Sequence, residues 1–240
     1  MRSIAAIIVT LILTTGEVVG ESQDYDRLRA GMVRDIEATV VETRGYIGKE
    51  TLGEAVMKAM AEVPRHEFVP ASLRDYAYLN QALPIGHGQT ISQPYIVALM
   101  TDLAGIGPDS VVLEVGTGSG YQAAVLSRLA RHVYTIEIVE PLGLEAKRAL
   151  ERLGYDNVTV RIGDGYNGWA EHAPFDAILV TAAPERIPQP LIDQLKPGGR
   201  LIIPVGRAGG VQSLRIVEKD ESGEIREQDV LPVGFVPLTR

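Results

Sequence analysis

Apolar residues along this chain follow one spacing up to about residue 104 and another beyond it. From Gln23 to Arg44 they recur every four positions, at Leu28, Met32, Ile36 and Val40, which puts one buried stripe on a helix. Thr51 to Glu62 repeats the pattern with Leu52, Ala55, Val56, Ala59 and Met60, until Pro64 stops it. A third helix is predicted over Pro94 to Leu103, with Ile96, Val97, Leu99, Met100 and Leu103 on its apolar face and proline in the first turn, where it is tolerated. Beyond residue 110, short apolar runs alternate with amphipathic stretches. The pattern predicts strand 111–115, helix 119–130, strand 133–138, helix 141–153, strands 158–162 and 175–181, helix 188–195 and strand 200–205. Such alternation implies a doubly wound, mostly parallel α/β sheet. Lys196-Pro197-Gly198-Gly199 reads as a helix stop before a strand. Ser213–Glu218 and Val230–Leu238 read as closing strands, with Glu221-Ser222-Gly223 turning between them.

One domain is therefore expected over 21–240: a helical, substrate-side region (21–104), a ligand-binding core (105–206) and C-terminal strands (207–240). Residues 1–20 stand apart. Arg2 precedes an apolar run, Ile4 to Leu13, and then Val18-Val19-Gly20, the layout of a secretory signal too short to span a membrane. A helical extension or a start codon placed too far upstream would give the same residues.

Composition narrows the classes. Hydrophobic residues make up 45% and charged residues 22%, the balance of a globular chain rather than a disordered one. A net charge of −8 without Lys/Arg clusters argues against a nucleic-acid surface, and leaves an acidic substrate to be met by local donors. The absence of cysteine excludes disulfides, thiolate zinc sites and a cysteine nucleophile. His66, His87, His132 and His172 are scattered without ligand spacing, so no metal is expected; His66 reads as support for the substrate wall.

The chemistry concentrates between Pro84 and Tyr121. Val111 to Val115 is a buried strand that runs into Gly116-Thr117-Gly118-Ser119-Gly120-Tyr121, a turn whose glycines admit a ligand close to the backbone. A dinucleotide fingerprint would place its third small residue at 121, but Tyr121 stands there and the glycine comes one residue early. Glu114, just before the turn, would repel a pyrophosphate and suits a ligand with an ammonium and a sulfonium. Glu137 ends the next strand, at the offset where an acid reaches ribose hydroxyls. Asp164, between Gly163 and Gly165, is placed to reach an adenine amino group, although Asx turns favour aspartate on their own. Strand, acid, glycines, helix, strand and second acid together indicate an adenosyl ligand, held by Glu114, Gly116, Thr117, Gly118, Gly120, Glu137, Asp164 and Gly165. Tyr121 and Trp169 either flank it or pack in the core.

From about Arg44 to Leu238 the chain resembles the protein-L-isoaspartate O-methyltransferases. The resemblance rests on Val63–Pro70 (VPRHEFVP), Pro84–Tyr95 (PIGHGQTISQPY), Leu113–Tyr121 (LEVGTGSGY), Gly163–Trp169 (GDGYNGW), Pro174–Ala183 (PFDAILVTAA), Leu195–Gly206 (LKPGGRLIIPVG) and Phe235–Leu238 (FVPL). Two positions depart from the family pattern: His87, where many bacterial members have glutamine, and Gly234, where some have arginine. The resemblance implies a Rossmann-like methyltransferase fold and a methyl transfer from S-adenosylmethionine to isoaspartyl residues of damaged proteins and peptides. The ester then collapses to a succinimide unaided. A monomer without stable membrane association is expected. Cofactor supply places the enzyme in the cytoplasm, and the leader-like residues 1–20 place it outside.

Methyl transfer to a carboxylate needs no general base, because a carboxylate of pKa about 4 is ionised at neutral pH. Alignment is the main task, and the chain offers no Ser/His or His/Asp pair at a convincing spacing. Ser92 matches the family's reactive position, with Thr90 beside it; a hydroxyl before the third helix can donate to the substrate carboxylate, helped by helix N–H groups. Read from spacing alone, either could be an N-cap. A methyltransferase of a small molecule or a non-catalytic cofactor-binding protein would use the same turn and acids; a dehydrogenase is disfavoured by Glu114 and Tyr121.

Overall fold

The structure, a computed structural model, describes residues 24–240, so the leader-like stretch 1–20 lies outside the described residues. Three helices come first: α1 (Tyr25–Ile47), α2 (Glu54–Glu62) and, after a small hairpin, α3 (Pro94–Leu103). The hairpin pairs β1 (Leu83–Gly86) with β2 (Gln89–Ile91). Then follow β3 (Val111–Val115), α4 (Tyr121–Ser127), β4 (His132–Glu137), α5 (Glu140–Arg152), β5 (Val158–Ile162), β6 (Phe175–Val180), α6 (Gln189–Asp193), β7 (Leu195–Val205), β8 (Gln212–Lys219) and β9 (Ile225–Val233).

Seven strands form one sheet in the order β5-β4-β3-β6-β7-β8-β9. The first five run parallel, and β8 and β9 follow as successive antiparallel neighbours of β7. This is the Rossmann-like, mostly parallel sheet expected. β3 and β6 are neighbours although two strands separate them in sequence, so the winding reverses between them. A crevice opens there, outside the carboxyl ends of the strands, where such sheets bind ligands.

The central strands β3 and β6 are buried on both faces, which is why they read as largely apolar runs. Val112, Val133, Ala177, Leu179 and Ile202 pack under the helices α1 to α5. Leu113, Val115, Ile178, Val180 and Leu201 face the other way, against Leu191 of α6, Trp169 and Phe175.

Several boundaries differ from the sequence reading, each for a local reason. α1 continues past Arg44 to Ile47, because the residue able to adopt the left-handed cap (φ 66°) is Gly48 and not Gly45. α4 starts at Tyr121, since Gly120 before it sits at φ 90°. β7 begins at Leu195: Lys196-Pro197-Gly198-Gly199 is an irregularity inside the strand, not a stop ahead of it. The last strand is Ile225–Val233 rather than Val230–Leu238. The Asp220 carboxylate accepts from the amides of Ser222 (2.9 Å) and Glu224 (3.0 Å), closing the turn early enough for the polar run after Ile225 to pair with β8. Residues 235–239 are left as a tail. Ala183 and Leu238 exchange bonds with it and across it (Ala183 N to Val236 O, 2.8 Å; Leu238 N to Ala183 O, 2.9 Å), laying it beside the loop after β6.

Candidate active site

The glycine turn sits at the crevice, and its backbone explains its composition. Gly116, Gly118 and Gly120 have φ of 98°, 53° and 90°, where an L side chain is strained. Gly116 carries the tightest constraint, because a Cβ there would lie 2.4 Å from Thr181 Oγ1. Gly120 faces away from the crevice and lets α5 approach: its Cβ would meet Leu150 at 3.2 Å. Glu137 fastens the turn to the end of β4, accepting from Gly118 N (2.8 Å) through Oε2 and from Val139 N (2.9 Å) through Oε1. Each carboxylate oxygen keeps a second lone pair, so Glu137 can still accept from ligand hydroxyls.

Glu114 is wholly buried. Its Oε2 accepts from Thr135 Oγ1 (2.6 Å), and Thr117 Oγ1 lies 2.7 Å from the same hydroxyl, so the Thr117 side chain supports Glu114 from behind. Oε1 has no partner. Burial, reinforced by the charge of Glu137 and opposed by the Thr135 bond, pushes the carboxyl up to about 8. A buried acceptor without a donor is destabilising, and it fits a ligand that brings a cation. Ser92, Thr90, Thr181, Tyr121 and the glycine turn line the same narrow cleft as Glu114.

Ser92 lies between β2 and α3 and is not a helix cap. That place belongs to Gln93, and no side chain of its own caps the helix. The helix N-terminus also has less to offer an anion than expected: Pro94 has no N–H, and Tyr95 N donates to Asn80 Oδ1 (3.0 Å). Thr90 is exposed on β2 and lines both the crevice beside the glycine turn and a second cleft on its far side. His87, at the hairpin tip, takes φ 52° between two glycines, a region where histidine is tolerated better than most residues.

The residue that anchors this loop is one sequence reasoning passed over. Arg65, fully buried, donates from Nε to Ala77 O (2.8 Å) and from Nη2 to Ser92 O (2.7 Å) and Gln81 O (3.4 Å). Its guanidinium lies 4.8 Å from the centre of the Tyr121 ring, so it ties the Ser92 loop to the first residue after the glycine turn. Burial lowers its pKa to about 10. Arg beside His in VPRHEF was the available signal. Thr181 was also missed as a contributor: its hydroxyl donates to Gly116 O (2.6 Å) and pins the turn to the end of β6.

Asp164 forms an Asx turn, its Oδ1 accepting from Tyr166 N (2.9 Å) and its Oδ2 from Asn167 Nδ2 (3.2 Å). Gly165 follows because a Cβ there would lie 2.3 Å from Val115 Cγ1; it lines the crevice floor. The tail residues Val236 to Thr239 form the opposite wall. On the far side of Thr90 and Ser92 a wider cleft runs between α1 and β9, bounded by Thr39, Thr43, Tyr95, Val211, Pro232 and Phe235. Among the described residues no charged side chain lines it. Asn80 joins its walls, donating to Thr39 Oγ1 (2.9 Å) while holding Tyr95 N. Tyr121 and Trp169 are both buried and pack among aromatic neighbours. Among the described residues no group of His, Cys, Asp and Glu could hold a metal ion, and no helix is long and apolar enough to cross a membrane.

Comparison with known proteins gives this geometry a context. The family model described as protein-L-isoaspartate(D-aspartate) O-methyltransferase matches residues 42–240. A protein-L-isoaspartate O-methyltransferase 2 from Syntrophobacter fumaroxidans is 61% identical over 99% of this chain and 98% of its own length. A solved protein-L-isoaspartate O-methyltransferase structure is similar with a TM-score of 0.75 at 31% identity, over 88% of this chain; the chain spans 66% of that structure's length. A Plasmodium falciparum structure in complex with S-adenosyl-L-homocysteine is similar over 91% of this chain and 99% of its own, with a TM-score of 0.70 and 25% identity.

Proposed function

The chain belongs to the protein-L-isoaspartate O-methyltransferase family, and from this premise we propose how its own residues carry out protein repair. It is an enzyme that methylates the free carboxylate of L-isoaspartyl residues in damaged proteins and peptides. S-adenosylmethionine supplies an electrophilic methyl group on a sulfonium. Residues of the crevice fit that cofactor. The unpartnered Oε1 of Glu114 accepts from its ammonium, Glu137 takes the ribose hydroxyls, and Asp164 with Gly165 meets the adenine. Gly116 and Gly118 keep the backbone low enough for it to lie against the turn. D-aspartyl residues present a similarly displaced carboxylate and fall within the proposed substrate class.

The peptide lies extended in the wider cleft, bringing its carboxylate to Ser92 and Thr90. These hydroxyls donate to the oxygen that is not methylated and so orient the other along the line of displacement. The nucleophile is already ionised, so the protein's contribution is orientation and the exclusion of water, an effect worth on the order of 7–11 kcal/mol when complete. The observation that carries the reading is the shared cleft: Ser92, the donor to the substrate carboxylate, and Glu114, the acid for the cofactor, line one cavity.

The test uses labelled S-adenosylmethionine and two peptides that differ only in L-isoaspartate versus L-aspartate. Base-labile label is expected in the isoaspartyl peptide alone, and Ser92→Ala is expected to lower turnover by about 10²-fold, the usual loss for a preorganised donor. Cofactor binding without transfer to either peptide would sink the reading.

Glu114 adds a pH dependence. Its folded pKa, raised to about 8, leaves the carboxyl mostly protonated at neutral pH, and a bound cation favours the carboxylate. Binding therefore releases a proton below pH about 8. The cofactor dissociation constant is expected to fall about tenfold per pH unit as pH rises toward that value, and to level off above it. Calorimetric titration across that range, with Glu114→Gln as the control that flattens the slope, checks this; a flat wild-type profile would rule it out.

A further inference from the structure

The cofactor-side loop holds a chemical liability that the fold both creates and restrains. The chain has three asparagines, Asn80, Asn157 and Asn167, and only Asn167 precedes a glycine. An asparagine followed by glycine deamidates readily, because the next backbone nitrogen reaches the amide carbon without a side chain in the way. Glycine is imposed at 168 by the structure. Its φ of 61° and ψ of −148° exclude other residues, and a Cβ would lie 2.3 Å from Gln194 Oε1. The other two asparagines are protected. Asn80 has both ends of its amide bonded, and Asn157 donates to Ser127 O (2.9 Å) and Ala130 O (3.1 Å) ahead of β-branched Val158. Asn167 is exposed, with a single long bond to Asp164.

We propose that Asn167 is the spontaneous deamidation site of this protein, and that the Gln194 side chain is the clamp that slows it. In the reaction the Gly168 nitrogen attacks Cγ of Asn167, forming the C–N bond of a succinimide. Ammonia leaves, carrying the proton that the nitrogen gives up. Water then opens the ring at either carbonyl, leaving aspartate or isoaspartate. Closure requires the Asn167–Gly168 backbone to rotate. Gln194 opposes this from both sides of the peptide: Nε2 donates to Asn167 O (2.8 Å) and Oε1 accepts from Trp169 N (2.7 Å). The amide of Gly168 is itself held by Gly165 O (3.1 Å). Deamidation would place a new carboxylate, or a chain lengthened by one methylene, three residues from Asp164. That last consequence for cofactor binding rests on the proposed function; the chemistry at Asn167 does not.

Aged samples of the intact protein, folded and in urea, would be digested with trypsin and the asparagine-containing peptides followed by mass. Asn167 is expected to be lost first, and about tenfold more slowly in the folded protein than in urea, since reaction needs local opening. Folded Gln194→Ala is expected to lose Asn167 about tenfold faster than wild type, the factor that two ordinary hydrogen bonds supply. Earlier loss of Asn80 or Asn157 would overturn the site. Equal rates in folded and urea-treated wild type would overturn the clamp without need of any variant. Because the readout is mass, these outcomes stand apart from any failure of methyl transfer.

Discussion

Gly116→Ala is expected to abolish cofactor binding while leaving the protein folded. The added Cβ would lie 2.4 Å from Thr181 Oγ1 and 3.7 Å from Thr181 Cβ. Thr181 has little freedom to yield, because its hydroxyl is bonded to the carbonyls of Gly116 (2.6 Å) and Val115 (3.1 Å) and its amide to Val115 O (2.9 Å). The backbone at φ 98° adds strain of about 1–3 kcal/mol for any residue with a side chain. The clash is relieved only by moving the turn away from β6, which lowers Gly118 and Glu137 out of the crevice together. S-adenosylmethionine affinity is expected to drop at least about 100-fold, the scale on which a small displacement disables a positioned site. Calorimetry together with a thermal melt reads this, with Gly107→Ala as control because nothing lies within 4 Å of its added Cβ. Binding within a few-fold of wild type would show that the turn is not the cofactor's seat.

Arg65→Met should be the most damaging change outside the crevice. It leaves the carbonyls of Ala77, Gln81 and Ser92 without their buried donor, and each unsatisfied group costs about 1–3 kcal/mol. Relief from burying a cation offsets part of this, so a net loss of about 3 kcal/mol is expected, read as the shift in a urea unfolding curve. Function should fall as well, even in the fraction that stays folded. Freed from Arg65, the Ser92 carbonyl no longer fixes the loop whose hydroxyls are proposed to orient the substrate carboxylate, and methyl transfer is expected to slow about tenfold or more under cofactor-saturated, single-turnover conditions. Arg65→Lys separates the two effects. It keeps the charge but lacks the fork that spans three carbonyls, so it should recover part of the stability and little of the rate. Full activity in a folded Arg65→Met protein would refute this positioning role.

The residues that face the crevice were legible in the sequence because each leaves a local mark. A run of apolar residues ending in glycines predicts a strand and its turn, and the acids stand next to those marks. What holds the site together left no such mark. Arg65 gains its meaning only when three backbone carbonyls, up to 27 positions away, converge on it, and no periodicity records that. Asn80 and Thr181 are similar cases, since a side chain that bonds a distant backbone looks like any loop or strand-end residue. β9 was misplaced for a different reason. As an edge strand with Arg226, Glu227, Gln228 and Asp229 exposed, it shows no alternation to read, and the apolar Phe235 to Leu238 drew the prediction toward the tail. At Asp164 the structure shows the Asx turn that its residue type favours, one position before Gly165, which lines the crevice.

The uncharged lining of the cleft proposed for the peptide has a bearing on how substrates arrive. The molecule carries a net charge of −8, and among the described residues no lysine or arginine in the cleft offers an approaching carboxylate a counter-field. Encounter therefore runs against a weak long-range repulsion, which physiological salt confines to within about 8–10 Å of the surface. Selection is left to the last contacts, where hydroxyls and shape distinguish a displaced carboxylate from an ordinary one. An enzyme built this way trades speed of capture for indifference to the charge of the segment around the lesion, an arrangement suited to damage that occurs in many sequence contexts.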